Sequence, residues 1–448
     1  MSPARAGRLG GVEPADLAER FGTPLYVYDL DLIDRQVSGL RDALPARVEL
    51  AYAVKANPAL AVVTHLGRLG LGADVASGGE LATVLRAGIP PERIVMTGPG
   101  KRDVELAAAV AARIRAVTVE SPGELRRLES IARGAGRRQA VMLRMAMSRA
   151  GHHERVRLVG DDGAGKFGMD AADLGEAAHH ATQSAHLELI GLHAFGASNV
   201  LDAAALVDHV VATAAAASRM AGDVRVPLRI VDAGGGLGIP YGAHESPLDV
   251  VRFGHDVADI VAGWADDPWL ADARLLLEPG RYLVGPAGAY LARVVDTKTV
   301  EGRAVAILDG GVHHVLRPAL VRQEHRVRSY AREVRPSERV AVAGPFCSGL
   351  DVLASDVLLP RPEVGDLIAV LDVGAYGFTE SMPYFLSHPM PAEVIARDGR
   401  AALIRPRLEP AEWLDQQLVP DLARPAWPPT ADAVSSPASA RSSVDQSD

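Results

Sequence analysis

Eight short runs of apolar and β-branched residues, separated by helical stretches, constrain this chain more than any other feature of its sequence. They are Val48–Val54, Leu71–Val75, Arg93–Thr97, Ala116–Val119, Ala140–Arg144, Leu187–His193, Leu228–Val231 and Arg274–Leu277. Between them lie Ala-, Leu- and Arg-rich segments with helical spacing, such as Gly79–Ala87, Asp103–Ala112 and Ala203–Ala217. A strand that reads as nearly continuous apolar sequence is buried on both faces, as in a parallel sheet covered by helices. Eight such units in succession predict a closed (β/α)8 barrel in preference to an open doubly wound sheet. The expected class is therefore α/β, a TIM-like barrel.

After about Pro286 the texture changes. Tyr290–Lys298, Arg303–Leu308, Glu338–Ala343, Asp366–Val373 and Ala402–Pro406 are short strand-like runs with turns between them and few helical stretches. They predict a second, mostly antiparallel β domain, and Leu25–Tyr28, strand-like and ahead of the barrel, is expected to join it. The division expected is an N-terminal segment 1–35 contributing to the β domain, the barrel over 36–285, the β domain over 286–407 and a C-terminal extension over 408–448. From Pro428 onward the sequence is Pro, Ala and Ser with few large apolar residues, which predicts a disordered tail.

Composition narrows the function classes. With 448 residues the chain can bury a large core, and 48% hydrophobic with 23% charged residues is ordinary for a globular protein. A formal charge of −9 argues against a nucleic-acid surface, which needs a dense basic face. No run of about 18 apolar residues is present, so no membrane span is expected. Met1–Gly11 carries arginines but no apolar core of a secretory signal, which points to the cytoplasm. The single cysteine, Cys347, excludes an intrachain disulfide. A lone cysteine is by itself more often an inert residue than a catalyst.

In such barrels the functional groups sit at the C-terminal ends of the strands. Strand one ends in Val54-Lys55-Ala56-Asn57. Lys55 is either a strand-end lysine reaching solvent or a Schiff-base lysine whose pKa falls on desolvation. Strand two ends in Asp74-Val75-Ala76-Ser77-Gly78-Gly79-Glu80, opening a helix with polar caps. Strand six ends in His193-Ala194-Phe195-Gly196-Ala197-Ser198-Asn199. Strand seven ends in Gly234-Gly235-Gly236, either a flexible loop or a backbone cradle for an anion. Strand eight ends in Glu278-Pro279-Gly280-Arg281, either a structural ion pair or a carboxylate and guanidinium aimed at a ligand. Taken jointly, an amine, a glycine cradle, an arginine and a carboxylate suit a phosphate-bearing aldehyde cofactor whose ring nitrogen needs an acidic partner.

From about Tyr26 to Pro406 the sequence resembles the fold-type III pyridoxal-phosphate decarboxylases, the family of diaminopimelate and ornithine decarboxylases. Ala53-Val54-Lys55-Ala56-Asn57 resembles the cofactor-lysine motif, and Asp74-Val75-Ala76-Ser77 with Glu80 the second-strand motif. Gly234-Gly235-Gly236 and Glu278-Pro279-Gly280-Arg281 are similar to the phosphate-loop and ring-nitrogen motifs. Gly344-Pro345-Phe346-Cys347 resembles the segment whose cysteine reaches the partner subunit's site, and Gly374-Ala375-Tyr376-Gly377 the motif whose tyrosine touches the cofactor phosphate. The resemblance implies pyridoxal 5′-phosphate as cofactor, no metal, and a head-to-tail homodimer with both sites at the interface. It also implies that Lys55 bears the cofactor, Glu278 keeps the ring nitrogen protonated and Cys347 protonates the carbanion left when CO2 departs. Asp74, Phe195, Ser198, Gly234, Gly235, Gly236, Gly280, Arg281 and Tyr376 are the remaining cofactor-binding candidates.

The departures from the family pattern bear on substrate. Phe195 stands where relatives usually carry a histidine stacked on the cofactor ring. Ser348 follows the cysteine, where relatives acting on diamino acids place a carboxylate, and Val321 follows Arg317-Pro318-Ala319-Leu320 where a tyrosine is common. Together with Tyr384-Phe385-Leu386-Ser387-His388-Pro389, these resemble a biosynthetic branch that includes decarboxylases of carrier-protein-tethered aminoacyl groups and siderophore intermediates. The expected substrate is an amino acid or carrier-linked aminoacyl group without a free distal amine, contacted by Arg281, Arg317 and Ser348. His313 and His314 are further candidates for its far end, or else surface histidines. Competing readings are diaminopimelate decarboxylase itself, an alanine-racemase-like enzyme, against which Glu278 speaks, and a non-catalytic decarboxylase-like regulator, against which the retained Lys55, Glu278, Arg281 and Cys347 speak.

Overall fold

A computed structural model describes residues 7–147, 165–242, 244–331 and 333–420. The eight apolar runs form eight parallel strands: β2 (Val48–Ala53), β3 (Gly72–Val75), β4 (Ile94–Met96), β5 (Ala116–Val119), β6 (Gln139–Arg144), β7 (Leu187–His193), β8 (Ile230–Asp232) and β9 (Arg274–Leu277), after a first strand β1 (Leu25–Asp29) outside the barrel. Each barrel strand pairs in parallel with the next, and β2 pairs with β9, which closes the barrel. Alternation along a strand sends neighbouring side chains to opposite faces. Tyr52, Val75, Met96 and Val119 accordingly join the large core under the surrounding helices. Ala51, Val95, Met142, Ile190 and Leu276 form a separate cluster that fills the barrel.

Local chemistry fixes where strands give way to helices at the C-terminal end of the barrel. After β3, Ser77 caps the helix Gly78–Arg86 by accepting from Glu80 N at 3.2 Å, while Glu80 Oε2 accepts from Ala76 N at 2.7 Å. This reciprocal pair satisfies two donors that a helix start would otherwise leave open, and it sets the loop that follows Asp74.

The second unit is a nine-stranded sheet. It contains β1, β10 (Gly288–Val300), β11 (Arg303–Leu308), β12 (Val327–Tyr330), β13 (Ser337–Ala343), β14 (Val352–Pro360), β15 (Leu367–Leu371), β16 (Ala392–Arg397) and β17 (Arg400–Arg405). Most pairs are antiparallel; β1 with β16 and β11 with β13 are parallel. Hydrogen bonds tie this sheet to the barrel at its functional end: Tyr376 N donates to Ala56 O at 2.8 Å and the Asn57 side chain, through Nδ2, to Gly374 O at 3.0 Å. Both lie within two residues of Lys55. The expected disordered stretch from Pro428 lies outside the described residues, and the start of the extension carries the short helix Pro410–Leu414. No helix among the described residues is long and apolar enough to cross a membrane.

Candidate active site

A cavity of about 280 Å³ opens at the C-terminal ends of the barrel strands. Lys55, Phe195, Ser198, Gly235, Gly236, Glu278, Gly280, Arg281, Arg317 and Tyr376 all line it, so residues spread over more than 300 positions of sequence converge there. Asp74 and Gly234 do not line it, but Asp74 is bonded to Lys55, which does. Cys347 and Ser348 do not line the cavity of their own chain; they sit in the loop between β13 and β14, with Cys347 exposed. His313 and His314 are not surface residues and do not line it either. Both are fully buried, His313 stacked on Phe346 at 4.3 Å between ring centres and His314 bonded to Pro389 O at 3.0 Å.

Lys55 follows β2 in a single 3₁₀ turn, Val54–Ala56, which turns its side chain into the cavity. Its Nζ donates to Asp74 Oδ2 at 2.6 Å, and Thr97 Oγ1 donates to Asp74 Oδ1 at 2.6 Å. Burial alone would depress the ammonium, as the sequence suggests. The negative charges of Asp74 and Glu278 outweigh it and hold the Lys55 pKa above the ordinary lysine value. The direction differs from the depression that desolvation alone would give, because Asp74 and Glu278 stand beside the amine.

Glu278 closes β9. Its carboxyl meets opposing influences: burial pushes its pKa up, but His193 and Lys55 beside it hold it at about 2. His193 Nε2 stands 3.7 Å from Glu278 Oε2, both side chains buried. Asp232, at the end of β8, is shifted the other way. Burial and then the Glu278 charge raise its pKa well above the ordinary carboxyl value, so of the two it is the one that favours the proton. Glu278 Oε1 and Asp232 Oδ2 are both buried, and the two carboxyls hydrogen-bond each other. A buried carboxylate with acceptor positions to spare can take a further donor from a ligand in the cavity.

The glycine loop is shaped for close approach. Gly236 has φ +98°, and a Cβ there would lie 2.8 Å from Ala197 O; one on Gly235 would lie 2.5 Å from Glu278 O. Only glycines fit both positions, which brings backbone rather than side chains to the cavity wall. Arg281 stands nearby, buried, with its guanidinium 4.7 Å from the Tyr376 ring centre and Nη1 donating to Tyr241 OH at 2.8 Å. Its Nε has no partner among the described residues. An amine, a buried carboxylate, a backbone cradle and an incompletely bonded guanidinium are groups whose chemistry fits the aldehyde, ring nitrogen and phosphate of pyridoxal phosphate.

His193, Arg144, Phe167 and Glu380 are among the cavity residues not read from the sequence as site residues. His193 and Arg144 end β7 and β6, so the strand-end rule could have found them. Glu380, in the 3₁₀ turn Phe378–Glu380, carried no such signal. A larger cavity of about 560 Å³ lies at the opposite end of the barrel, lined by Leu44, Glu49, Arg93 and Arg115 among others. Glu49 there is already paired with Arg115 and Arg274, and that face of a barrel serves stability.

A closed parallel barrel with this cavity at its strand ends, joined to a mostly antiparallel sheet, defines a pyridoxal-phosphate barrel enzyme. Residues 30–285 match the pyridoxal binding domain of the pyridoxal-dependent decarboxylases, and the chain belongs to that family. It is 36% identical to the diaminopimelate decarboxylase of Methanothermobacter thermautotrophicus over 416 residues, covering 92% of this chain and 95% of that one. It is 32% identical to the L-glutamyl-[BtrI acyl-carrier protein] decarboxylase of Niallia circulans over 409 residues, covering 89% and 94%. Among solved structures, the diaminopimelate decarboxylase of M. jannaschii in complex with L-lysine superposes with a TM-score of 0.84 at 29% identity, covering 91% and 95%. The chain is thus a pyridoxal-phosphate-dependent carboxy-lyase.

Proposed function

We propose that this decarboxylase acts on an amino acid, or on an aminoacyl group linked to a carrier protein, whose far end bears no free amine. The observation that carries the reading is Ser348, directly after Cys347. A distal ammonium buried in the site would need a carboxylate, because an unpaired buried charge is strongly unfavourable. Ser348 offers only a hydroxyl. The Niallia circulans relative, a decarboxylase of a carrier-linked glutamyl group, supports the carrier-linked form. The identity to diaminopimelate decarboxylases favours a second reading, that substrate itself. It requires a carboxylate to receive the distal ammonium, and Glu380, on the cavity wall, is held by Arg317.

The roles follow from the groups in place. Lys55 is the residue that bears the cofactor, and Asp74 holds its amine in the cavity until then. When bound, the cofactor supplies a sink for the electron pair left at the α-carbon as carbon dioxide departs. Glu278, held ionised beside His193, would keep a proton on the ring nitrogen, which deepens that sink. The amides of Gly235 and Gly236, with Ser198, Arg281 and Tyr376, hold the phosphate. Phe195 presents an apolar face to the ring and can neither donate nor carry charge. Cys347 returns a proton to the α-carbon, and its position outside its own chain's cavity supports a site shared between two subunits of a homodimer.

A screen for carbon dioxide release tests the substrate class. The purified holoenzyme should turn over glutamine, or a carrier-linked glutamyl thioester, with a kcat/KM above that for lysine, ornithine and meso-diaminopimelate. Faster turnover of the free diamino acids overturns the reading.

A further inference from the structure

Four cations line the cavity: Lys55, Arg144, Arg281 and Arg317. Three of them already hold a carboxylate of this chain. Lys55 Nζ lies 2.6 Å from Asp74, Arg144 Nη1 lies 2.7 Å from Glu120, and Arg317 Nη1 lies 2.6 Å from Glu380. Arg281 forms no ion pair among the described residues; its bonded partner is the hydroxyl of Tyr241. The cavity therefore keeps one guanidinium open to an incoming anion, and the cofactor's phosphate or the substrate's α-carboxylate uses it.

Arg317 is closed in a specific way. Its Nε donates to Gln323 Oε1 at 2.9 Å while Nη1 donates to Glu380 Oε2, and the Tyr376 ring centre lies 5.2 Å from its guanidinium carbon. The turns carrying the two partners are tied together, since Ser381 Oγ accepts from Leu316 N at 3.2 Å and donates to Gly377 O at 2.8 Å. The Ser381 hydroxyl, next to Glu380, thus ties the turn that carries Glu380 to the start of the helix that carries Arg317. A substrate carboxylate arriving at Arg317 would have to displace a short charge-assisted bond that is already made. A substrate ammonium arriving at Glu380 would have to share that carboxylate with a guanidinium, and the two cations repel.

We propose that Glu380 is a specificity-determining residue. By holding Arg317 it withdraws the cation that would otherwise take a distal carboxylate, and it limits the cavity to substrates with an uncharged far end, such as an amide or a thioester. The inference rests on the substrate reading above, which Ser348 carries, and adds to it the exclusion of a distal carboxylate.

The test is a binding ratio, which does not depend on turnover. Glutarate and its monoamide are titrated against wild-type and Glu380→Gln holoenzyme by calorimetry. Glu380→Gln should raise the affinity for glutarate relative to the monoamide at least about tenfold, the scale of one hydrogen bond to a charged group. Adding Arg317→Gln to that variant should remove the gain. An unchanged ratio, or a gain that survives Arg317→Gln, overturns the proposal. If Glu380→Gln does not fold, the wild-type protein decides: tighter binding of glutarate than of the monoamide contradicts the proposal, and the reverse supports it. Efficient turnover of lysine that Glu380→Gln abolishes would make Glu380 an ammonium receptor and overturn it too. Absence of carbon dioxide release from every substrate would count against the substrate reading while leaving the binding ratio to decide the role of Glu380.

Discussion

Glu278 and Asp232 are two carboxyls at neighbouring strand ends whose pKa values are pushed in opposite directions. His193 and Lys55 hold the Glu278 pKa down, while burial beside that charge raises the pKa of Asp232. Glu278→Gln removes the charge and keeps the shape. Cofactor binding should survive, and kcat should fall on the order of 10²-fold, as when other preorganised electrostatic groups are removed. Steady-state kinetics with a parallel absorbance titration of the cofactor separates the two effects, and wild-type turnover in that variant contradicts the role. Lys55, Glu278 and Arg281 were legible because each closes or follows an apolar strand. The direction of the Lys55 pKa shift was not legible, because it depends on Asp74 lying 2.6 Å away across a strand pair. Glu380 was invisible for a related reason: its meaning comes from Arg317, 63 positions away.

The barrel strands were readable because strands buried on both faces need continuous apolar sequence, and all eight runs coincide with observed strands to within two residues at either end. The sheet was less so. β12, β14 and β16 were missed, and the burial along β14 shows why: exposed, intermediate and buried residues mix there without strict alternation. The glycine loop after β8 makes a prediction at this scale. Gly236→Ala places a Cβ against Ala197 O at a left-handed φ, and should destabilise the folded chain by about 1–3 kcal/mol. Chemical denaturation of the cofactor-free protein measures this, and an unchanged midpoint contradicts the strain. The β domain also carries a pH dependence. Burial holds the His313 pKa down to about 3 and that of His325 to about 4, against 6.5 for an ordinary histidine. The unfolded chain takes up these protons near pH 6.5 and the folded chain only at lower pH. Stability is therefore full above about 6.5 and falls as the pH drops toward 4. Thermal unfolding across that window should show Tm falling with acid, less steeply in His313→Phe; equal slopes would show that His313 does not contribute.

At the scale of the molecule, the barrel supplies the cofactor cavity and the sheet supplies Arg317, Tyr376 and Glu380 to its wall. The same sheet carries Cys347 on a loop that its own cavity does not use. A site shared between two chains predicts complementation: Lys55→Ala and Cys347→Ala proteins, each inactive, should regain part of the activity when mixed, through hybrid dimers. Failure to complement, with subunit exchange demonstrated, places both residues in one chain's site. The central claim is that this cavity is the cofactor site and Lys55 its attachment point. The chain has four lysines, Lys55, Lys101, Lys166 and Lys298. Lys101 is buried against Glu124 at 2.9 Å and does not line the cavity. Borohydride reduction of the holoenzyme followed by peptide mass spectrometry therefore gives an unambiguous answer. The cofactor mass on the peptide containing Lys55 is the result expected; attachment at Lys101, Lys166 or Lys298, with Lys55 unmodified, would contradict the account.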